Sequence, residues 1–245
     1  MIGPEDRAPR NPERFPRTWR QRALLAPLTR GLKIWYRPRV HGLDGVPMDR
    51  PVVYVAKHPR GYLYLEVILL GFLTFWESGR LPFRAMERRG TSLHRIPGLS
   101  WLRRHVGTIE ATEEAGLAAL RGGESVLVFP GGTRELYGPE DQLDWSGRLG
   151  FARLSTLAEA PVVPVAIAGA DQQHPFRLAL GRRSSLWLPP FPLPVPLDYW
   201  FGTPLTPPKT AEPELLAAFA REASAAASAL LGRAVLLRRP LLGGA

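Results

Sequence analysis

Short apolar runs recur along the chain at 52–57 (VVYVAK), 83–86 (FRAM), 107–111 (GTIEA), 125–129 (SVLVF) and 161–169 (PVVPVAIAG), with helix-like segments between them. This alternation constrains the fold more than any other feature. Strands buried on both faces read as unbroken apolar runs, and parallel neighbours need a crossover between them that is usually helical. The segment 112–123 (TEEAGLAALRGG) reads as such a crossover, with Thr112 as N-cap, acids in the first turn and glycines at the end. Helical runs are also expected from 58 to about Ser78, over 96–106 and over 149–160. The expectation is an α/β fold: a single domain with a largely parallel central sheet flanked by helices, which a length of 245 residues suits.

The flanks read differently. Residues 1–17 are polar and proline-rich and are expected to form a flexible tail. Over 18–37, apolar residues recur at helical spacing among Arg and Lys, with Pro27 inside, which predicts an amphipathic N-terminal helix. Such a helix can lie in a bilayer interface or cover the core. The α/β domain is expected to span 38–235, with 236–245 as a second tail. Within it, 183–208 is proline-dense, with one strand expected near LDYWF and a packed loop otherwise, and 210–234 reads as an alanine-rich helix.

The formal charge is +10, and Lys33, Lys57 and Lys209 are the only lysines, so arginine carries nearly all of the positive charge. Arginine suits phosphate and anionic surfaces, although a compositional bias toward Arg also accounts for such a count. The chain has no cysteine, which excludes disulfides, thiolate nucleophiles and Cys-ligated metals. The start lacks an apolar signal core, so no signal peptide is expected. The greasiest run, 61–76, is too short to span a bilayer and contains Glu66, so no transmembrane helix is expected.

Two segments follow strands and carry chemistry-bearing side chains. In 57–67 (KHPRGYLYLEV), His58 stands just past a buried strand, where a histidine can act as a general base, and Glu66 is the next carboxylate downstream. On spacing alone, such a pair also fits a structural role. In 128–135 (VFPGGTRE), the Gly131–Gly132 pair can expose backbone N–H groups to an anion or oxyanion. Arg134 could bind phosphate, and Glu135 could orient Arg134 or touch substrate. Alone, this segment equally describes a turn with a solvated charge pair. The sequence has no Walker loop ending, and His41, His94, His105 and His174 are scattered without metal-ligand spacing. Asp171 follows a core strand, where it can line the site or cap a helix.

Taken together, the strand–His58–helix order, Phe129-Pro130-Gly131-Gly132-Thr133-Arg134, the Pro161-Val162-Val163-Pro164-Val165 strand and Phe201-Gly202-Thr203-Pro204-Leu205 resemble the glycerolipid acyltransferase superfamily. The likeness is to its lysophosphatidic acid acyltransferase-like members, and in particular to the divergent lysophospholipid and diacylglycerol acyltransferase-like branch. It extends over about residues 36–232, with 94–112 similar to the second block. This chain departs from the pattern at four places. Lys57 stands for Asn before the histidine, Leu63 occupies the usual Asp position, and Gly131 replaces the usual Glu. The second-block Arg is also missing, since Glu110, Ala111 and Thr112 follow Gly107 and its two neighbours.

The resemblance implies an O-acyltransferase that moves a fatty acyl group from acyl-CoA or acyl carrier protein to a lipid hydroxyl. His58 would be the base and Glu66 would take the Asp role. Arg60, Gly131, Gly132, Thr133, Arg134 and Glu135 would bind substrate. The resemblance implies no metal and no cofactor beyond the thioester co-substrate. The implied partners are the acyl donor, the lipid acceptor and an anionic membrane surface, with peripheral placement on its cytoplasmic face. Nucleic acid is not expected as a partner, since no recognisable binding module is present. A catalytically inactive lipid-binding or membrane-tethering protein on the same fold is the alternative, motivated by the altered positions 63 and 131.

Overall fold

The computed structural model describes residues 19–60, 64–79, 83–87, 107–138, 141–143, 145, 147–181 and 184–238. The expected helix over 96–106, position 63, the pairs 88–89 and 103–104, His94, His105 and both tails lie outside the described residues, apart from 236–238.

The central sheet has seven strands. In chain order they are β1 (Arg39–His41), β2 (Val53–Ala56), β3 (Phe83–Glu87), β4 (Thr108–Glu110), β5 (Ser125–Val128), β6 (Val162–Ala168) and, after a separate hairpin of β7 (Phe176–Gly181) and β8 (Ser184–Leu188), β9 (Asp198–Phe201). Their spatial order is β1-β9-β6-β2-β5-β3-β4. Every pairing is parallel except β6 with β9. The expected parallel α/β sheet is therefore present, with one edge pair running the other way.

Strand β2 lies at the centre because its whole run is buried. Tyr54 and Ala56 pack into a core shared with Val163, Val165, Leu69 and Leu70, whereas Val53 and Val55 join Val126, Phe151, Phe219 and Ala223 in a second core. Alternation across the pleat divides one apolar run between two helical layers. Helices α1 (Trp19–Tyr36) and α2 (Leu65–Gly71, continuing as a π turn over Phe72–Glu77) belong to the first layer. Helices α3 (Glu113–Arg121), α4 (Gly150–Ala158) and α5 (Pro213–Leu236) form the second.

Thr112 caps α3 as expected, its hydroxyl accepting from the Ala115 N–H at 3.2 Å. In α1, Thr29, Leu32 and Tyr36 are buried at helical spacing, while Ile34 remains 72% exposed. The helix therefore covers the core with one face and leaves an apolar residue on the other. Helix α5 is long and apolar enough to cross a membrane by length and composition. Its Leu216, Phe219, Ala220, Ala223, Ala227, Leu231 and Ala234 stripe is nevertheless buried within the domain.

Three elements differ from the sequence expectation. β7 and β8 pair antiparallel as a hairpin, and 39–41 form an edge strand against β9. The long helix expected after His58 begins only at Leu65.

Candidate active site

Because β5, β2 and β6 are adjacent and parallel, their carboxyl ends open onto one place. His58 stands two residues past β2, the turn Gly132–Tyr137 follows β5, and the turn Ala170–Gln173 follows β6. The three loops are joined by hydrogen bonds that involve the immediate neighbours of His58.

The imidazole of His58 is largely buried, with Tyr64 edge-on at 5.6 Å and Phe129 at 5.1 Å between ring centroids. Its Nδ1 lies 2.9 Å from the carbonyl oxygen of Pro59. A carbonyl only accepts, so this bond assigns the proton to Nδ1 and leaves the lone pair on Nε2. Burial pushes the pKa of His58 below its ordinary 6.5; the bond to Pro59 and the charge of Asp171 act in the opposite direction, and Lys57 lowers it further. The ring is therefore neutral around pH 7, with an acceptor nitrogen. Tyr64 sits at φ 48°, in the left-handed region that bulky residues rarely adopt, at the entry to α2.

Asp171 holds the segment on both sides of His58. One of its oxygens receives the Lys57 ammonium, and the other accepts the Arg60 N–H at 3.2 Å. Arg60, expected on substrate phosphate, is engaged elsewhere. Its Nε donates to the Leu136 carbonyl at 3.2 Å, one terminal nitrogen donates to the Gly138 carbonyl at 2.7 Å, and its guanidinium lies 4.7 Å over the Trp187 ring. Asp171 lies 3.6 Å from it as well. The guanidinium bridges loops, because buried backbone carbonyls require donors.

Glu135, expected to orient Arg134 or touch substrate, holds the histidine loop. It is buried, with one oxygen accepting the His58 backbone N–H at 2.9 Å and the other the Trp145 indole N–H at 2.9 Å. It fixes the histidine loop from beneath, through the backbone. A Cβ at Gly131 would lie 2.6 Å from Glu135 Oε1 and closer still to the carboxyl carbon. The Glu135 side chain thus occupies the space where any side chain at 131 would begin. That packing gives a physical reason for glycine at the position where the resemblance places glutamate.

Gly132 adopts φ 58°, and its N–H closes a turn onto the Phe129 carbonyl at 3.0 Å. This leaves Gly131 to carry the other N–H of the expected pair. Thr133 and Arg134 are exposed on the same turn.

Glu66 is buried on α2 and is not hydrogen-bonded to His58; its Oε1 has no hydrogen-bond partner. Desolvation raises its pKa from 4.5 to about 7. Around it, Tyr199 donates to the Glu66 carbonyl at 2.8 Å, and Tyr36 donates to Gln173 Oε1 at 3.1 Å. Burial, and after it the negative charge of Glu66, push both tyrosines up. The Pro59 carbonyl and Trp145 were not among the expected site residues, and Asp171, expected to line the site or cap a helix, clamps the histidine segment. Asp171 had a detectable signal: it follows the end of β6 at nearly the same offset at which His58 follows β2.

A family profile described as Acyltransferase matches residues 37–168, which include His58, Glu66 and the 131–135 turn; Asp171 lies just beyond it. The human protein named DGAT1/2-independent enzyme synthesizing storage lipids is 26% identical over 157 residues, 63% of this chain and 46% of that protein. An uncharacterised protein of Mycobacterium tuberculosis (strain ATCC 25618 / H37Rv) is 27% identical over 177 residues, 70% of this chain and 49% of that protein. The chain spans about half the length of the curated relatives it matches. In fold it is similar to the 1-acyl-sn-glycerophosphate (LPA) acyltransferase PlsC of Thermotoga maritima. The TM-score is 0.58 at 19% identity, covering 93% of this chain and 87% of that one.

Proposed function

The chain belongs to the acyltransferase family, and from that premise we propose that it transfers a fatty acyl group from a thioester, acyl-CoA or acyl carrier protein, to a hydroxyl of a glycerolipid or related lipid at a membrane surface. The observation that carries this reading is His58. It is a buried neutral imidazole past the central strand, with Nδ1 committed to a carbonyl and Nε2 left as an acceptor.

In the reaction, Nε2 takes the proton from the acceptor hydroxyl as its oxygen attacks the thioester carbonyl carbon. The oxyanion that forms would meet the Gly131 N–H, since the Gly132 N–H already closes the turn onto Phe129. It collapses with cleavage of the C–S bond, and the imidazolium returns the proton to the departing thiolate, giving ester and free thiol. Between these steps the imidazolium needs a negative neighbour. Asp171 supplies one by charge, whereas Glu66 is buried on α2 without a hydrogen bond to the ring. Arg134, exposed on the turn, is the side chain proposed to meet phosphate on donor or acceptor. Lys57 and Arg60, the cations flanking His58, are both engaged by Asp171. This favours an acceptor whose reacting end is neutral. The human relative's name, which specifies storage-lipid synthesis, points the same way.

The alternative of an inactive lipid-binding protein drew on altered acidic positions at 63 and 131. Two buried carboxylates, Asp171 and Glu135, surround the histidine loop from other parts of the chain, so those alterations do not by themselves favour loss of chemistry. The test is thiol release from palmitoyl-CoA, with products identified by mass spectrometry against phosphorylated and neutral acceptors. Acceptor-dependent release that disappears in His58→Ala is expected. Its absence with both CoA and carrier-protein donors would overturn the reading.

A further inference from the structure

The β7–β8 hairpin stands apart from the central sheet, and its register separates its side chains into two faces. Phe176 pairs with Leu188 and Leu178 with Leu186, so these four lie on one face, while Arg177 and Trp187 lie on the other. The second face is anchored to the active-site loops. Trp187 is buried against Tyr137 at 6.2 Å and under the Arg60 guanidinium, and Arg177 lies 4.6 Å over Tyr137. The first face is turned outward, with Phe176 69% and Leu178 49% exposed. The chain then runs from Leu188 to Phe191, which is 57% exposed and meets Trp35 of α1 edge-on at 6.0 Å.

We propose that this outward apolar face of the hairpin is the surface by which the protein docks on an anionic lipid bilayer, with the hairpin lying at interfacial depth over the active-site loops. Charge favours this occupant. The chain carries a net +10, and the sequence between the two strands is Arg182-Arg183, next to Gly181 and Ser184. An exposed apolar face on a chain of net positive charge, with two arginines in the sequence that links its strands, matches the acyl boundary and headgroups of an anionic leaflet. Area disfavours a second copy of the chain. Four side chains, two of them partly covered, present roughly a few hundred Å², against about 800 Å² per partner in a stable interface. A two-stranded ribbon has open backbone edges and so cannot cross the hydrocarbon. The vesicle binding does not depend on the acyltransferase reading; only its consequence for turnover does.

The chain has no cysteine, so Leu178→Cys can be labelled uniquely with an environment-sensitive fluorophore. Addition of phosphatidylcholine/phosphatidylglycerol vesicles should shift the emission to the blue, and phosphatidylcholine vesicles should do so less. In co-sedimentation, Phe176→Ser/Leu178→Ser should lose at least about tenfold in vesicle partitioning, from the transfer free energy of two exposed apolar side chains. Turnover of a water-soluble short-chain thioester should not change. No emission shift, equal partitioning of the double variant, or a vesicle-independent dimer that the double substitution dissolves would each overturn the proposal. An emission shift with no turnover on any substrate would leave the docking surface standing and remove only the enzymatic reading.

Discussion

Adding a methyl group at Gly131 isolates the contact on which the histidine loop rests. Gly131 has φ −70° and ψ −21°, a conformation open to alanine, so Gly131→Ala strains no backbone. Its Cβ, however, would fall within 2.6 Å of Glu135 Oε1, and the carboxylate would have to leave. That removes two buried acceptor contacts, to the His58 N–H and to the Trp145 indole N–H, each 2.9 Å long. Hydrogen bonds to a charged partner contribute about 1.5–3 kcal/mol each, and the orphaned donors stay buried. The expected loss is therefore about 3–6 kcal/mol of a total of about 5–15, which lowers Tm by on the order of 10 °C in a protein of this size. Calorimetry on Gly131→Ala, Glu135→Ala and the double variant completes a cycle. In the Glu135→Ala background the added methyl should cost less than about 1 kcal/mol, since its obstacle is gone. A Gly131→Ala protein as stable as the parent would refute the reasoning, as would a full penalty persisting without Glu135. Turnover should fall with stability in the single variants, because His58 loses its backbone anchor.

Three other outcomes are expected. His58→Ala should lower turnover by about 10²–10⁴-fold and leave the fold intact, because Glu135 binds the backbone N–H there and not the ring; circular dichroism and the thiol-release assay check this together. In the parent, the acid limb of kcat/KM should lie below pH 6.5, since the base works neutral and burial lowers its pKa. Asp171→Asn should move that limb lower still and reduce kcat about tenfold or more, because the imidazolium loses a negative neighbour. Adding Lys57→Met should recover stability by removing the stranded buried ammonium, without recovering kcat; recovery of kcat would mean Asp171 acts only as a strut. Glu66 titrates at about 7 when folded and near 4.5 when unfolded. The folded state therefore binds its proton more tightly, and stability should fall as pH rises from about 4.5 to 7, by up to about 3 kcal/mol. Glu66→Gln should flatten that slope in urea titrations and raise stability at pH 8; a slope unchanged by the substitution would place the titrating group elsewhere.

The parallel sheet was legible because burial on two faces leaves a direct trace: VVYVA, SVLV and VVPVAIA are continuous apolar runs, and the helix caps between them have local chemistry. The hairpin was hidden by its composition. Of the paired residues 176–178 and 186–188, only Trp187 is apolar and turned inward, while Phe176, Leu178, Leu186 and Leu188 share the outward face. Position His58 was readable because it follows a strand, and Asp171 and Glu135 stood out for the same reason, but their contacts with the histidine loop were not readable. The Pro59 carbonyl is backbone, which no residue pattern announces. Asp171 and Glu135 lie 113 and 77 residues from His58, and only the β2–β6 and β2–β5 pairings bring them beside it. Arg60 and Glu135 were expected on substrate because isolated charges near glycines resemble ligand-binding groups. In the fold, closing three loops on one another creates buried donors and acceptors that those charges satisfy.

The displaced acids follow a common logic. A buried histidine that must become an imidazolium needs negative charge nearby and a fixed loop, but neither need fixes the sequence position from which the carboxylate comes. Around His58, Asp171 provides charge together with the Lys57 and Arg60 contacts, and Glu135 provides the backbone anchor. Glycine at 131 is then required by the space Glu135 occupies, and lysine at 57 by the charge of Asp171, which would otherwise lie buried with less compensation. Lys57 and Gly131 are thus matched to Asp171 and Glu135, one pair in charge and the other in volume. Changing position 57 or 131 alone toward the residue of the family pattern should therefore be harmful: Gly131→Glu is expected to be tolerated only when Glu135 is shortened, and Lys57→Asn only when Asp171 loses its charge. Equal thermal stability of Gly131→Glu with and without Glu135→Ala would show that the two positions are independent and that glycine at 131 has another cause.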